Sequence, residues 1–84
     1  MEYDIGFVGL GYVGLSTAVC FSNRRMKVIG IEIDTNKISQ IRKAKTPIHE
    51  KDMSELLKKA INKNNLVVSS DYNELQKTRI IFLK

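Results

Sequence analysis

The sequence predicts an α/β fold in which helices cover a parallel sheet of three to four strands. Three observations carry this prediction. Short, almost wholly apolar runs recur along the chain, as in parallel strands that are buried on both faces. Segments with apolar residues at helical spacing lie between those runs. The resulting order is β-α-β-α-α-β-α-β, and this alternation favours parallel strands joined by right-handed crossovers.

The first strand is predicted at Ile5-Gly6-Phe7-Val8, which is apolar and stops at glycines. A helix follows, because apolar residues recur at positions i, i+3 and i+4: Leu15, Ala18 and Val19. We expect this helix to end at residues 23–25, because the cations Arg24 and Arg25 suit the C-terminal end of a helix dipole. Residues 28–33 are rich in β-branched side chains and predict the second strand.

The second helix can be capped by Asp34 or Thr35 and should be broken by Thr46-Pro47, since a residue before proline avoids helical geometry. Residues 52–55 have the Asp-x-x-Glu form of a capping box and predict the start of a third helix. Turn-forming residues at 62–65 end it.

The last part of the chain predicts two further strands. Leu66-Val67-Val68 is the third strand, and Ile80-Ile81-Phe82-Leu83 is the fourth. Between them, Asp71 can cap a short helix that runs to Lys77.

Length and composition restrict the class of protein. The chain has 84 residues, of which 43% are hydrophobic and 27% charged, as in one small globular unit. No apolar run approaches the ~18 residues that cross a bilayer, and Met1-Glu2-Tyr3-Asp4 lacks the pattern of a secretory signal. Cys20 is the single cysteine, which excludes an internal disulfide and a multi-cysteine metal site. We therefore expect a soluble, cytoplasmic protein.

The net charge of +5, from 14 basic and 9 acidic residues, would suit a protein that binds nucleic acid. The basic residues are spread along the chain, however, and several alternate with apolar residues, which is typical of solvated helix faces. Aromatic residues make up 7% of the chain and form no stripe on which bases could stack. Nucleic-acid binding is therefore the weaker alternative.

A glycine motif, Gly9-Leu10-Gly11-Tyr12-Val13-Gly14, joins the first predicted strand to the first helix. Such a string alone could be a structural turn, but this context predicts a dinucleotide site in a Rossmann fold. There the first glycine (Gly9) permits a tight turn, the second (Gly11) lets a pyrophosphate approach the backbone, and the third (Gly14) packs the helix closely. The free N–H groups at the helix start then bind the phosphates.

Glu32 ends the second predicted strand, 32 − 14 = 18 positions after Gly14. A dinucleotide site needs an acceptor at this place for the hydroxyls of the adenosine ribose. A carboxylate there also repels a 2′-phosphate, which favours NAD over NADP. The alternative is a solvated strand end, but the motif and the acid in their expected places together favour binding.

The chain resembles the N-terminus of the UDP-glucose/GDP-mannose dehydrogenase family over nearly all of its length. The resemblance lies in the glycine motif with Leu15, in Ile31-Glu32-Ile33-Asp34, and in residues 45–50, Lys-Thr-Pro-Ile-His-Glu. It implies an NAD-dependent, two-step oxidation of the C6 hydroxyl of a sugar nucleotide to a carboxylate. It also implies that Leu10, Tyr12 and Val13 line the pyrophosphate turn and that Lys37 lies near the adenosine. The family usually has Asp at the position of Glu32.

On this resemblance, residues 1–84 are the N-terminal part of an NAD-binding Rossmann domain, truncated before the substrate and catalytic domains. The family's catalytic cysteine and lysine lie in those later domains, so we expect no catalytic residue and no metal ligand here. Cys20 is expected to be a small buried hydrophobe, and His49 a loop histidine without a catalytic task. A sugar nucleotide would contact only the missing domains.

Half of a doubly wound fold should carry its helices on one face and leave apolar sheet surface on the other. We therefore expect self-association or a partner chain that covers the exposed face. Besides an NAD-binding part of a nucleotide-sugar dehydrogenase, a non-catalytic nucleotide-binding or assembly module remains open. Because only adenosine and pyrophosphate contacts are encoded, we expect weak NAD affinity.

Overall fold

The computed structural model describes residues 2–45 and 51–83. Within these ranges, strands and helices alternate in the predicted order, which confirms the α/β fold class. In chain order the elements are β1 (Tyr3–Val8), α1 (Tyr12–Ser22), β2 (Val28–Ile31), α2 (Thr35–Arg42), α3 (Lys51–Asn62), β3 (Leu66–Ser69), a 3₁₀ helix (Tyr72–Lys77) and β4 (Thr78–Leu83). The predicted break at Thr46-Pro47 and the histidine His49 lie outside the described residues.

All four strands belong to one parallel sheet in the order β3-β2-β1-β4. Ile5 of β1 lies opposite Val28 of β2 on one side and opposite Ile80 of β4 on the other. β1 and β2 are the two central strands, and their residues are buried in clusters on both faces of the sheet. This burial explains why their sequences are nearly continuous apolar runs. The sheet is that of the N-terminal half of a Rossmann fold.

The main core lies between one face of the sheet and all three α-helices. Buried residues of β1, β2 and β3 pack there against apolar positions of α1, α2 and α3. Val19 of α1, Ile41 of α2 and Leu57 of α3 are each fully buried in this cluster. The crossovers from β1 to β2 and from β2 to β3 therefore place their helices on the same side, as right-handed connections require.

The opposite face carries a smaller cluster, in which Tyr3, Ile29 and Ile31 are buried and Leu75 of the 3₁₀ helix packs against them. A Cβ added at Gly6 would lie 2.9 Å from the Leu75 side chain, so this glycine lets the 3₁₀ helix lie close to the sheet. The expectation that β1 and β2 expose apolar surface on this face is therefore wrong. On this face the 3₁₀ helix packs through Leu75 against the cluster of Tyr3, Ile29 and Ile31.

Exposed large apolar side chains lie elsewhere: Val13, Ile33, Tyr72, Ile80 and Ile81. Two of them are consecutive residues of β4, the strand that pairs only with β1 among the described strands. Ile33 is exposed because β2 ends at Ile31, two residues before its predicted end.

The other border of the sheet, β3, is partly covered by a charged side chain. The N–H group of Val28 donates to Asn65 O and that of Glu32 donates to Ser69 O, so alternate carbonyls of β3 point toward β2. The intervening carbonyl of Val68 points outward and accepts a hydrogen bond of 2.6 Å from Arg42 Nη2, at the end of α2.

Two further expectations are corrected by the structure. Cys20 is exposed rather than buried, because Ala18 and Val19 turn the buried side of α1 away from it. The third helix begins at Lys51, so Asp52 lies inside its first turn and does not cap it from outside.

The surface is consistent with solvated charges. Every basic residue of the described part whose burial is known is exposed, except the half-buried Lys37. Among the described residues, no helix is both long and apolar enough to cross a membrane.

Candidate functional site

The turn after β1 depends on a left-handed glycine. Gly9 has φ 89, a conformation that costs an L-residue roughly 1–2 kcal/mol. Its N–H group donates to Ile31 O at 2.9 Å, which ties the turn to the end of β2. The chain thus leaves β1 sharply and enters α1 three residues later.

Gly14 lies in the first turn of α1, where the helix comes close to the preceding turn. A Cβ added there would overlap the carbonyl oxygen of Gly9. The close approach that the sequence assigns to the third glycine is therefore present, and its partner is the backbone of the turn.

The N-terminus of α1 is not capped by a side chain. Gly11 is the N-cap residue, with extended backbone (φ −71, ψ −168), and the first turn holds no acidic residue. A Cβ added at Gly11 would meet nothing within 4 Å, so the space in front of the helix is open. The N–H groups of the first helical turn have no intrahelical acceptors and carry a partial positive charge. Tyr12 begins this turn, and its side chain lies outside the described residues, while the next side chain, Val13, is exposed.

Glu32 follows β2 directly and is only 8% exposed. Its Oε1 accepts a hydrogen bond of 3.0 Å from the N–H group of Leu10. Its Oε2 accepts one of 3.1 Å from the N–H group of Asp34. Lys37 Nζ lies 3.9 Å from Oε1 and forms an ion pair with the carboxylate.

These contacts set the protonation state of Glu32. Burial acts to raise the pKa of its carboxyl, but the N–H groups of Leu10 and Asp34 and the Lys37 ammonium outweigh burial. The pKa therefore lies below its ordinary value. The side chain is a carboxylate at neutral pH and accepts hydrogen bonds only.

Leu10 contributes to the site through its backbone. Its side chain is buried and covers Gly30, where an added Cβ would lie 2.8 Å from Leu10 Cδ1. Lys37 remains partly exposed, with 36% of its side chain accessible.

The residues singled out by the sequence come together at one end of the sheet. Gly9 to Gly14 follow the carboxyl end of β1, and Glu32 and Lys37 follow that of β2, the neighbouring strand. Ligands of open α/β sheets bind at this end. Cys20 lies apart, beside Ser16 and Thr17 in a shallow groove on the outer side of α1.

Sequence reasoning missed the direct bond between Glu32 and the glycine turn. Position 32 is recognisable as an acid after the second strand, but nothing in the spacing indicates that its carboxylate reaches Leu10. It also left open whether Asp34 or Thr35 caps α2. Asp34 is the cap, accepting from the N–H groups of Asn36 and Lys37 at 3.0 and 3.3 Å.

Residues 3–84 match the model of the UDP-glucose/GDP-mannose dehydrogenase family, NAD binding domain. The chain belongs to this family. The resemblance seen in the glycine motif is thereby confirmed, and NAD is the cofactor of this domain.

Curated relatives and solved structures agree with that assignment. GDP-mannose 6-dehydrogenase of Pseudomonas syringae pv. syringae is 41% identical over 70 residues, which are 83% of this chain and 16% of the relative. UDP-N-acetyl-D-mannosamine dehydrogenase of Methanococcus aeolicus is 43% identical over 67 residues, 80% of this chain and 15% of the relative. A crystal structure of GDP-mannose dehydrogenase from Pseudomonas aeruginosa superposes with a TM-score of 0.89 and 32% identity, covering 100% of this chain and 19% of that one. The chain thus spans less than a fifth of the length of these proteins.

Proposed function

We propose that this chain binds NAD at the carboxyl end of β1 and β2 and is the cofactor-binding part of a nucleotide-sugar dehydrogenase. Such an enzyme oxidises the C6 hydroxyl of a sugar nucleotide to a carboxylate. One observation carries the proposal: an uncapped helix N-terminus and a buried carboxylate lie at the same end of the sheet. The family assignment supports the same cofactor.

The glycine turn would hold the pyrophosphate. The N–H groups at the start of α1, in Gly11, Tyr12, Val13 and Gly14, suit an anion because neither a side chain nor an acidic residue of the first turn competes for them. The open space at Gly11 leaves room for phosphate oxygens to approach the backbone. Gly9 and Gly14 would also shape the turn, through the left-handed backbone of Gly9 and the close approach of Gly14 to it.

Glu32 would accept the ribose hydroxyls of the adenosine half. Each carboxylate oxygen has already accepted one backbone hydrogen bond, and a carboxylate offers about four lone-pair sites, so acceptors remain. Its negative charge disfavours a 2′-phosphate and therefore favours NAD over NADP. Lys37, close to Oε1, would lie on the adenosine side.

The bound cofactor supplies the hydride acceptor, and the residues of this chain position it. We propose that residues 1–84 are the N-terminal part of the NAD-binding domain. The contacts to the sugar nucleotide and the catalytic residues would come from other parts of such an enzyme. We also place the protein in the cytoplasm, where the exposed thiol of Cys20 would stay reduced.

The test is a titration of the purified chain with NAD, NADP and ADP-ribose, followed by backbone amide NMR shifts. We expect NAD and ADP-ribose to shift the amides of residues 9–14 and of Glu32, with weak affinity, and NADP to shift them less. Amides of α3, such as Leu57, serve as the internal control and should not move. No shift at residues 9–14 at millimolar NAD would contradict the proposal.

A second proposal concerns self-association through β4. Ile80 and Ile81 are both about half exposed, and their partners in β1 are the successive residues Ile5 and Gly6. Because successive residues of a strand point to opposite faces of the sheet, both faces of the edge strand β4 carry an exposed isoleucine. Such an apolar edge favours contact with another chain. Sedimentation equilibrium should show mass rising with protein concentration, and Ile81→Lys should reduce the association. A wild-type monomer at every concentration would contradict it.

A further inference from the structure

We propose that Glu32 is also a positioning residue for the glycine turn. Acting through the N–H group of Leu10, its carboxylate holds residues 9–11 in the shape that binds a diphosphate. One side chain then serves both the ribose and the phosphates. The inference rests on the proposed cofactor role of the turn and adds a function that a ribose acceptor alone would not have.

The glycine turn is anchored to the end of β2. Two successive N–H groups fix it, and both acceptors come from the end of β2. Gly9 donates to the backbone carbonyl of Ile31 at 2.9 Å, and Leu10 donates to Glu32 Oε1 at 3.0 Å. Within residues 2–45 and 51–83, Glu32 Oε1 is the one acceptor of the Leu10 N–H group, and the bond is buried. Without it, a buried donor would lose its acceptor.

Glu32 is held in one orientation by hydrogen bonds at its backbone and at its side chain. Its backbone N–H group donates to Ser69 O of β3 at 2.9 Å, so the main chain is tied to the strand on the far side. Its side chain points the other way, toward the turn after β1. The N–H group of Asp34 holds Oε2, and Asp34 in turn caps α2. The carboxylate is therefore a fixed bridge between the start of α2 and the glycine turn.

The length of the side chain at position 32 decides whether its carboxylate can accept from Leu10. An aspartate at position 32 would keep the charge but draw the carboxylate back by roughly one carbon–carbon bond, about 1.5 Å. The 3.0 Å bond to Leu10 would then exceed hydrogen-bond distance. A glutamine would keep the reach, and its amide oxygen could still accept from Leu10. The charge is lost, and the amide nitrogen, a donor, replaces the oxygen that accepts from Asp34. Glu32→Asp therefore removes the reach to Leu10, whereas Glu32→Gln keeps it without the charge.

The experiment uses 2′,3′-dideoxyadenosine diphosphate, which keeps the diphosphate and has no ribose hydroxyls for Glu32 to accept. Affinity is measured by calorimetry or amide shifts for wild type and both variants, with ADP as the parallel ligand. We expect Glu32→Asp to weaken binding of the dideoxy ligand by about tenfold. Glu32→Gln should bind it as tightly as wild type or more tightly, because a negative charge near the phosphates is gone.

Two results would overturn the inference. If both variants bind the dideoxy ligand like wild type, Glu32 acts on the ribose alone. If Glu32→Asp binds like wild type while Glu32→Gln binds more tightly, only its charge matters. A wild-type chain that binds neither ADP, NAD nor the dideoxy ligand would instead refute the proposed cofactor role, so the two failures are distinguishable.

A ligand-free measurement tests the anchor directly. Hydrogen exchange of the Leu10 amide should be slow in wild type, faster in Glu32→Asp and close to wild type in Glu32→Gln. The amides of Leu57 and Ala60, in the buried part of α3, report whether each variant is folded and should stay protected. Equal Leu10 exchange in wild type and a folded Glu32→Asp would show that the turn does not depend on this carboxylate.

Discussion

The first two helices start at the same end of the sheet, yet their N-termini are built differently. At α1 the N-cap is Gly11, which makes no side-chain hydrogen bond. At α2 the N-cap is Asp34, whose carboxylate accepts from the N–H groups of Asn36 and Lys37. One helix has two of its first donors satisfied by the side chain of its own N-cap, and the other has no side-chain cap. In the proposed function, a single side chain therefore distinguishes a structural N-terminus from a binding one.

The packing of the two helices explains why only one of them can do without a cap. α1 has eleven residues, and its inner side, including Leu15, Ala18 and Val19, is buried in the main core. α2 has eight residues, of which Ile38 and Ile41 are buried. Since most helical stability in proteins comes from packing of the apolar side, we expect the short, polar α2 to depend more on its cap than α1 does.

Giving α1 the cap of α2 should have the largest effect on binding. Gly11→Asp places a carboxylate where the phosphates are proposed to bind, and the backbone there is already extended, as a capping Asp needs. We expect NAD affinity to fall about 100-fold or more, roughly 2.7 kcal/mol, while the thermal midpoint stays level or rises. Calorimetric titration and thermal unfolding check this, and undiminished affinity would contradict the proposed phosphate site.

Gly14→Ala should be the most damaging to stability. The new methyl group would overlap the Gly9 carbonyl oxygen, a backbone atom that cannot turn aside. We expect the free energy of unfolding to fall by about 1–3 kcal/mol. Gly11→Ala is the matched control, because an added Cβ there meets nothing within 4 Å. Urea unfolding of the two variants should separate them clearly, and equal midpoints would show that the helix can shift away.

Asp34→Ala tests the capped helix of the pair. Loss of two accepted hydrogen bonds should lower the free energy of unfolding by about 1 kcal/mol. NAD affinity should change little, since Asp34 faces its own helix. Asp34→Asn should restore most of the stability, because asparagine also caps well. Chemical unfolding measures the stability, and calorimetry measures the NAD affinity. If Asp34→Ala lowers the affinity as much as Gly11→Asp does, the N-termini of α1 and α2 do not differ in their role in binding.

Acid should weaken the fold through Glu32. Its folded-state pKa is lowered, so its contribution is present above the unfolded value of about 4.3. That contribution is lost as the pH falls through the folded value. Wild type should therefore lose stability on acidification more steeply than Glu32→Gln. Urea unfolding at a series of acidic pH values checks this. If the free energies of unfolding of the two proteins fall in parallel with pH, the carboxylate does not contribute to stability.

Lys37→Ala should have the smallest effect. Its ammonium lies 3.9 Å from Glu32 and is partly exposed, and such pairs contribute about 0.2–1 kcal/mol. Without this cation the negative charge of Glu32 is less compensated, so NADP should be disfavoured further relative to NAD. Competition binding of the two cofactors measures the ratio, and an improved relative affinity for NADP would contradict this role.

Much of the fold could be predicted because its signals are local. The nearly continuous apolar runs at β1 and β2 indicate strands that are covered on both faces, and the β-branched residues of β3 indicate a further strand. Asp34 and Asp71 mark helix starts because a carboxylate before a helix satisfies free N–H groups; Asp71 accepts from Asn73 at 2.9 Å.

The features that were missed depend on distances across the fold. Cys20 was expected inside because its sequence neighbours are apolar, but helical phase places it with Ser16 and Thr17 on the outer side. The covered face of β1 and β2 depends on how closely Leu75 approaches Gly6, which no local pattern encodes. The bond from Leu10 to Glu32 joins residues 22 positions apart and requires the register of β1 against β2.

The guanidinium of Arg42 on the outward carbonyl of Val68 bears on how large an assembly this chain could build. Open-ended fibrils require a sheet that can grow at both borders, since each added chain must present a fresh border to the next. Here the β3 border is partly occupied by a charged side chain, while the β4 border carries apolar residues. In the self-association proposed above, growth through β4 alone would end as soon as two chains meet, and Arg42 would favour closed pairs over polymers.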